Sequence, residues 1–427
     1  MSDVLIRGGR VIDPASKLDA VRDVLVREGV VAEVGEKLSP SDGVEVIDAS
    51  GLWIVPGLVD IHVHLREPGG TPKETIFSGA EAAAAGGFAA ILAMPNTQPS
   101  VDKGHLVRYV LSRGREASAA EVMTSAALTE GRGGKAPADL AGLVRAGAVA
   151  FTDDGDEVAA ARLLHACMKE AARLGVPVLC HAEEPSLVDG GVMNEGAVAT
   201  ELGLPGRPAL AEEMAVARDL ALAADTGARV HIQHVSTRGA LSEIRSAREG
   251  GLAVTCEATP HHLLLTEDEC RGYDPSFKMN PPLRTEADRA ALVEALADGT
   301  VDVIATDHAP HTGDEKGLEF DKAASGVVGL ETALGLVMTE FVSDGTLSPA
   351  RMVELMSLGP ARILGRSDLG TLSPGARGHV TVIDPECEWT VDSGDFRSRS
   401  RNTPFAGRAL RGRAVATVVD GRIVFRL

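Results

Sequence analysis

The chain has 427 residues, 44% hydrophobic and 24% charged, which is too apolar for a disordered protein and long enough for one large barrel with a smaller appendage. Its formal net charge of -19, from Lys+Arg 42 against Asp+Glu 61, repels nucleic acid and anionic membrane and excludes both as expected partners. The 5 cysteines are scattered without a CxxC pair, which excludes a disulfide or zinc-finger framework and fits reduced thiols in a cytoplasmic protein.

The start, "MSDVLIRGGRVID", has no basic head followed by an apolar core, so no secretory signal is expected. From there to about residue 53 the chain reads as short β-strands between turns: "DVLIRGGRVID", "RDVLVREGVVAEVG" and "VEVIDASGLWIV". The far end, "GHVTVIDPECEWTV" and "GRAVATVVDGRIVFRL", has the same texture. Residues 1–53 and 369–427 are therefore expected to build a small β-sandwich domain together, around a barrel of residues 54–368.

The middle alternates apolar strands with helical stretches, the βα signature of a parallel sheet or barrel. Eight candidate strands occur in order: "GLVDIHVH", "FAAILAMPNT", "EVMTSAALT", "GAVAFTDDG", "PVLCHAEE", "RVHIQHVS", "LAVTCEATPHH" and "VDVIATDHAP". Helices are predicted between them, among them "LAGLVRAG", "AAARLLHACMKEAARLG" and "EEMAVARDLALAADTG". That number and spacing match a (β/α)8 TIM-like barrel, in the α/β class. A doubly wound open sheet is the alternative, weakened because no GxGxxG opens the first unit. The most apolar stretch, "AEAAAAGGFAAILAMP", is broken by Gly86 and Gly87, closed by Pro95, and too short to span a bilayer.

Nearly every candidate strand is apolar until its last residues, where His or Asp appears. The first ends in His62 and His64, the fourth in Asp153 and Asp154, the fifth in His181, the sixth in His234 and the eighth in Asp307 and His308. In a barrel of this kind those ends converge on the face that carries the active site. Residues at i and i+2 of a strand share a face, so His62 and His64 lie together, and burying both needs a partner such as a metal ion. Taken singly, "FTDDG" is more often a turn and "CHAEE" a helix start. Together, His62, His64, one of the strand-four aspartates, His181, His234 and Asp307 make six N or O donors, too many for one tetrahedral zinc with an open position and suited to two metals sharing a carboxylate. Imidazole and carboxylate suit zinc, with Mn or Co as substitutes. Alternation alone does not choose between Asp153 and Asp154 as the shared group. Two such ions ionise a water and polarise an electrophile, which points to hydrolysis. Arg66, two residues past the pair, sits on the rim, where a guanidinium suits a bidentate grip on a carboxylate.

With these motifs in place the sequence resembles the amidohydrolase superfamily, which carries HxH on strand one, His on strands five and six, and Asp on strand eight. Within it, "GLVDIHVHLREPG", "AMPNTQP", "FTDDG", "CHAEE", "KMNPPLR" and "ATDHAPH" look like bacterial class I dihydroorotases over almost the whole chain. The resemblance implies a metal-dependent cyclic amidohydrolase of pyrimidine biosynthesis, interconverting (S)-dihydroorotate and N-carbamoyl-L-aspartate. It implies His62, His64, Asp154, His181, His234 and Asp307 as ligands of two Zn2+ per chain, bridged by Asp154 and a hydroxide. Asp307 is implied as general base and acid. Arg66, Asn96 and His311 would hold the substrate carboxylate, with His64 and Asn280 also at the site, and Ser325 and Gly326 would meet the ring through their backbone. The residue before Gly326 is often aromatic in relatives and is Ser here. A homo-oligomer, as a dimer, is expected; some class I relatives associate with aspartate transcarbamoylase, and the sequence leaves open whether this chain does.

Two rival readings are weighed. Another cyclic amidase, of hydantoinase or allantoinase type, is opposed by Arg66 and by the absence of the Lys that bridges the metals in those enzymes. A catalytically silent, dihydroorotase-like scaffold subunit would usually lack some ligands, and none is missing. Two segments stay double-valued: "HTGDEKGLEFDKAASG", a lid or a solvated loop, and the Arg-rich "DFRSRSRNTPFAGRALRGR", a solvated loop or a phosphate-binding strip.

Overall fold

The computed structural model describes residues 3–39 and 43–427, so the first two residues of the expected small domain, and 40–42 within it, lie outside the described part. Five strands open the chain: β1 (Val4–Asp13), β2 (Leu18–Arg27), β3 (Val30–Gly35), β4 (Glu45–Asp48) and β5 (Trp53–Pro56). The next ten are β6 (Leu58–Val63), β7 (Phe88–Ala93), β8 (Glu121–Ala126), β9 (Ala150–Phe151), β10 (Val178–Cys180), β11 (Met193–Asn194), β12 (Gly206–Arg207), β13 (Val230–Ile232), β14 (Val254–Ala258) and β15 (Val303–Ile304). The chain closes with β16 (Val380–Thr390), β17 (Ala409–Val419) and β18 (Arg422–Arg426).

Both ends of the chain do meet in one sheet, of order β18-β17-β16-β5-β1-β2-β3, with β4 also paired to β1. Its tight hairpins follow from local chemistry: Glu28–Gly29 and Asp420–Gly421 both take positive φ at the two central positions, the geometry that matches strand twist in two-residue turns. Side chains from these strands enclose a single apolar core that includes Val4, Ile6, Val24, Ile54, Val382 and Val418. Sheet and core both draw on the two ends of the chain, as expected from their texture.

The eight expected barrel strands are all present and run in sequence order, β6-β7-β8-β9-β10-β13-β14-β15. Closure comes from the ends: Val63 bridges His308 in parallel register, the His64 N–H reaches the His308 carbonyl at 2.9 Å, and the buried Asp60 carboxylate accepts the Thr306 N–H at 3.2 Å. β11 and β12 form a separate parallel pair in the excursion after β10. Outer helices read as predicted. The helix Ala161–Leu174 buries Leu164, Cys167, Met168 and Ala171 on one stripe and ends at Gly175 with φ 70°. Among the described residues, no helix is long and apolar enough to cross a membrane.

Sheet and barrel are joined by charge as well as by apolar contact. Glu121, at the start of β8, takes Arg366 at 2.7 Å, His379 at 3.1 Å and Arg377 at 3.4 Å, all from the segment that leads into β16. Burial opposes ionisation of Glu121, but His379 and Arg366 outweigh it and hold the carboxyl down at about 2. A carboxylate depressed in the folded state contributes stability above its unfolded value of 4.5, and loses it as pH falls through the folded value. Glu121→Gln should therefore cost about 1–3 kcal/mol at neutral pH. In urea titrations followed by Trp53 and Trp389 fluorescence, both residues being in the terminal sheet, the gap between wild type and variant should narrow as pH drops from about 4.5 to about 2.

Candidate active site

His62 is the penultimate residue of β6 and His64 lies one residue beyond it; Asp154, His181, His234 and Asp307 follow β9, β10, β13 and β15 within three residues. Strand β6 departs from regular register against β7 between Asp60 and Val63, so the simple alternation expected for the two histidines is locally broken. They still converge. The candidate ligand atoms of His62, His64 and Asp154 lie within 4.8 Å of one another, and so do those of Asp154, His181 and His234. Asp154 belongs to both groups. Asp307 completes the first side, with Oδ1 2.9 Å from His64 Nε2 and 3.5 Å from His62 Nε2.

The structure separates the two adjacent aspartates. Asp153 turns away and is consumed locally, accepting the backbone N–H groups of Leu128 at 2.8 Å and Thr129 at 3.2 Å and the Thr129 hydroxyl. Asp154 turns inward, Oδ1 lying 3.3 Å from His62 Nε2 and 3.7 Å from His181 Nδ1, and Oδ2 3.5 Å from His64 Nε2. Arg132 fixes its backbone, donating to the Asp154 carbonyl at 2.5 Å and to Asp156 at 2.7 Å.

The far nitrogen of each first-strand histidine is engaged, which orients the near one. His62 Nδ1 lies 2.5 Å from Glu257 Oε1, and His64 Nδ1 2.9 Å from Asn96 Oδ1. With the proton on Nδ1, each Nε2 lone pair faces the centre, the arrangement a metal-ligating imidazole takes. His181 presents Nδ1 to the centre, 2.8 Å from His234 Nε2, while its Nε2 lies 3.3 Å from Asn280 Nδ2 and 3.7 Å from Glu183 Oε2. These imidazole and carboxylate donors, in two groups that share Asp154, fit the binding of divalent metal. Glu257 is the group that sequence reasoning missed. It is fully buried in β14 and shared by His62 Nδ1, His231 Nε2 and the His234 N–H. A lone carboxylate inside the apolar strand "AVTCEA" was the available signal.

Electrostatics follow from burial and neighbours. Burial opposes charge on His62, yet Glu257, Asp307 and Asp154 carry its pKa well above the ordinary imidazole value. Burial, reinforced by His181 and His62, pushes His234 down to about 3, leaving it neutral. Burial would raise Asp154 and Asp307, but the surrounding imidazoles, His62 foremost, hold both below the usual carboxylate range. Three of the residues here, Arg66, His234 and Asp307, have φ of 56°, 32° and 46°, left-handed backbone that non-glycine residues adopt at a cost.

A cavity of about 200 Å³ opens above this centre. Its lining includes all seven expected substrate contacts, His64, Arg66, Asn96, Asn280, His311, Ser325 and Gly326. Asn96 donates to Asp154 at 3.2 Å. Arg66 Nε donates to the Pro310 carbonyl at 3.1 Å, and its Nη2 lies 3.3 Å from His311 Nε2. His311 Nε2 also reaches the Ser325 carbonyl at 2.8 Å, and burial, with Arg66 next, pushes this imidazole down to about 3. Gly326 has φ 136°, and a Cβ there would sit 2.7 Å from Ala309 Cβ. Its own N–H is donated to the Lys278 carbonyl at 2.9 Å and its carbonyl accepts Lys316, so Gly326 offers close approach, not a free backbone hydrogen bond. The "HTGDEKGLEFDKAASG" segment is pinned beside the cavity: Lys316 Nζ donates to the carbonyls of Lys278, Ala324 and Gly326, and Lys73 pairs with Glu315 at 2.7 Å.

Comparison with known proteins agrees with this geometry. A sequence model of the dihydro-orotase-like family matches residues 51–240. The chain is 50% identical to a dihydroorotase of Pelobacter propionicus over 99% of its length and 100% of that protein, and 48% identical to one of Geobacter metallireducens with the same coverage. Among solved structures, the L-hydantoinase (dihydropyrimidinase) of Arthrobacter aurescens superposes with a TM-score of 0.87 at 27% identity, covering 100% of this chain and 96% of that one. A D-hydantoinase of Bacillus sp. AR9 gives 0.83 at 26%, covering 99% and 95%.

The two aspartates make a direct test of the centre. Asp154→Asn should reduce bound metal to below half the wild-type content, measured by elemental analysis of protein purified without chelator. Asp153→Asn should keep its metal and instead lose about 1–3 kcal/mol of stability through the Thr129 contacts.

Proposed function

The chain belongs to the dihydroorotase family, and from that premise we propose that its barrel mouth hydrolyses the cyclic amide of (S)-dihydroorotate to N-carbamoyl-L-aspartate and runs the reverse cyclisation. One observation carries the reading: a single cavity has His64, Asp154, His181 and Asp307 in its lining as a floor and Arg66 with His311 as a wall. The floor suits amide hydrolysis, and the wall suits a carboxylate-bearing ring.

We take the ligands of the two cations to be His62, His64, Asp154, His181, His234 and Asp307, and the cations to be Zn2+ from their donors. When bound, such ions supply Lewis acidity and make water acidic enough to ionise near neutral pH. The residues do the rest. Asp307, ionised beyond the end of β15, accepts the proton of the attacking water and returns it to the departing ring nitrogen. Arg66, Asn96 and His311 hold the ring carboxylate, and Asn280 lines the same cavity. Orientation is their contribution: they place the ring carbonyl over the floor.

The chain divides, in this reading, into the terminal unit of residues 1–53 and 369–427 and the barrel of 54–368. A cytoplasmic location accords with five free cysteines, four of them buried. The homodimer and the association with aspartate transcarbamoylase rest on family resemblance and are checked by light scattering of the protein alone and mixed with that enzyme.

A hydantoinase reading has the solved-structure neighbours in its favour. No Lys stands at the strand-four position, however, and Arg66 has no counterpart need in an uncharged ring. Turnover of dihydroorotate, hydantoin, dihydrouracil and allantoin separates the two: dihydroorotate should be strongly preferred, and preference for an uncharged ring would overturn the assignment. Asp307→Asn should lower kcat by about 100- to 10,000-fold. Arg66→Met should chiefly raise KM for dihydroorotate, and unchanged kinetics would remove its assigned role.

A further inference from the structure

The Arg-rich segment between β16 and β17 has a strict two-residue rhythm. Arg397, Arg399 and Arg401 are exposed, while Ser398, Ser400 and Asn402 are buried at 1%, 4% and 7% exposure. The backbone bends at 397–399 and is not a strand, yet the alternation holds: the arginines meet solvent and the small polar side chains face the barrel. Each inward residue has a fixed partner there. Ser398 donates to Glu74, which also takes His308 Nε2 at 3.3 Å, and Ser400 donates to the Lys73 carbonyl at 2.7 Å.

Asn402 reaches furthest. Its Nδ2 donates to the carbonyls of Ala309 and Gly326, each at 3.0 Å, and its Oδ1 accepts the His311 N–H at 3.1 Å. Its carbonyl accepts the Val328 N–H at 2.9 Å. Two carbonyls demand the amide NH2 and one N–H demands the amide oxygen, so only one orientation of the side chain satisfies all three. Ala309 and His311 flank Pro310, whose carbonyl holds Arg66 Nε. One side chain from the far end of the chain thus fixes the loop that carries His311 and anchors Arg66, and ties it to the loop of Ser325 and Gly326.

We propose that Asn402 is a positioning residue for the carboxylate-binding wall of the cavity, acting through Ala309, His311 and Gly326 without touching substrate. The inference rests on the dihydroorotase reading for its choice of substrate. Because the wall orients the ring and does not transfer protons, disturbing it affects binding more than turnover.

Asn402→Asp keeps the size but turns a carboxylate oxygen toward two carbonyls. It should raise KM for dihydroorotate and for N-carbamoyl-L-aspartate about tenfold or more, with kcat within about threefold of wild type. Asn402→Ser, which removes both amide donors, should shift KM in the same direction and serves if the Asp variant does not fold. Arg399→Ala, on the outward face of the same segment, should match wild type. In Asn402→Ser, amide exchange at His311 should speed up while the barrel core keeps its protection. Wild-type KM in the folded variants, or a fall in kcat alone, would overturn the proposal with the family reading intact. A wild-type protein that fails to turn over dihydroorotate would overturn both.

Discussion

Asp154 directs one carboxylate oxygen toward His62 and His181 and the other toward His64 and Asn96, and this divided contact lets two groups of donors form one centre. A fully buried carboxylate surrounded by imidazoles is costly by itself, because burial disfavours charge and neighbouring imidazolium ions repel one another. Neutral imidazoles around bound metal would remove that conflict. The rest of the architecture serves this condition. Asp153 ties down the turn from outside, Arg132 holds it through the backbone, and Glu257 and Asn96 set which nitrogen of each first-strand histidine faces inward.

The supporting cost is spread over the fold. Left-handed backbone at Arg66, His234 and Asp307 places strain at the barrel mouth, where surrounding contacts over-determine it. Ring closure through Asp60, Thr306 and His308 brings β15 against β6, so Asp307 approaches His64 although the two are far apart in the chain. The terminal unit takes part too. Through Arg377 and His379 on Glu121 it clamps the lower end of the barrel, and through residues 398–402 it grips the loops at the upper end. The small domain is in that sense part of the scaffold of the site.

Much of this was legible in the sequence, for a definite reason. Barrel strands must be apolar, so a His or Asp at their ends stands out against a uniform background, and the eight strands and the His/Asp positions could be read directly. Asp153 and Asp154 could not be separated by pattern, since the turn after β9 decides which side chain faces inward, and that depends on Leu128 and Thr129 from another loop. Glu257 was hidden because its role is set by His62 and His231 on different strands. The segment 395–413 was read by its charges, which do lie in solvent at Arg397, Arg399 and Arg401. Its function lies in the Ser and Asn residues between them, whose partners are more than 75 residues away in sequence.

In the proposed centre Asp154 would stand between two cations. Anomalous diffraction from zinc-loaded crystals would locate them. The expected result is two peaks, one against His62, His64 and Asp154 and the other against Asp154, His181 and His234. A single peak with Asp154 outside its coordination sphere, or zinc bound elsewhere in the barrel, would contradict it.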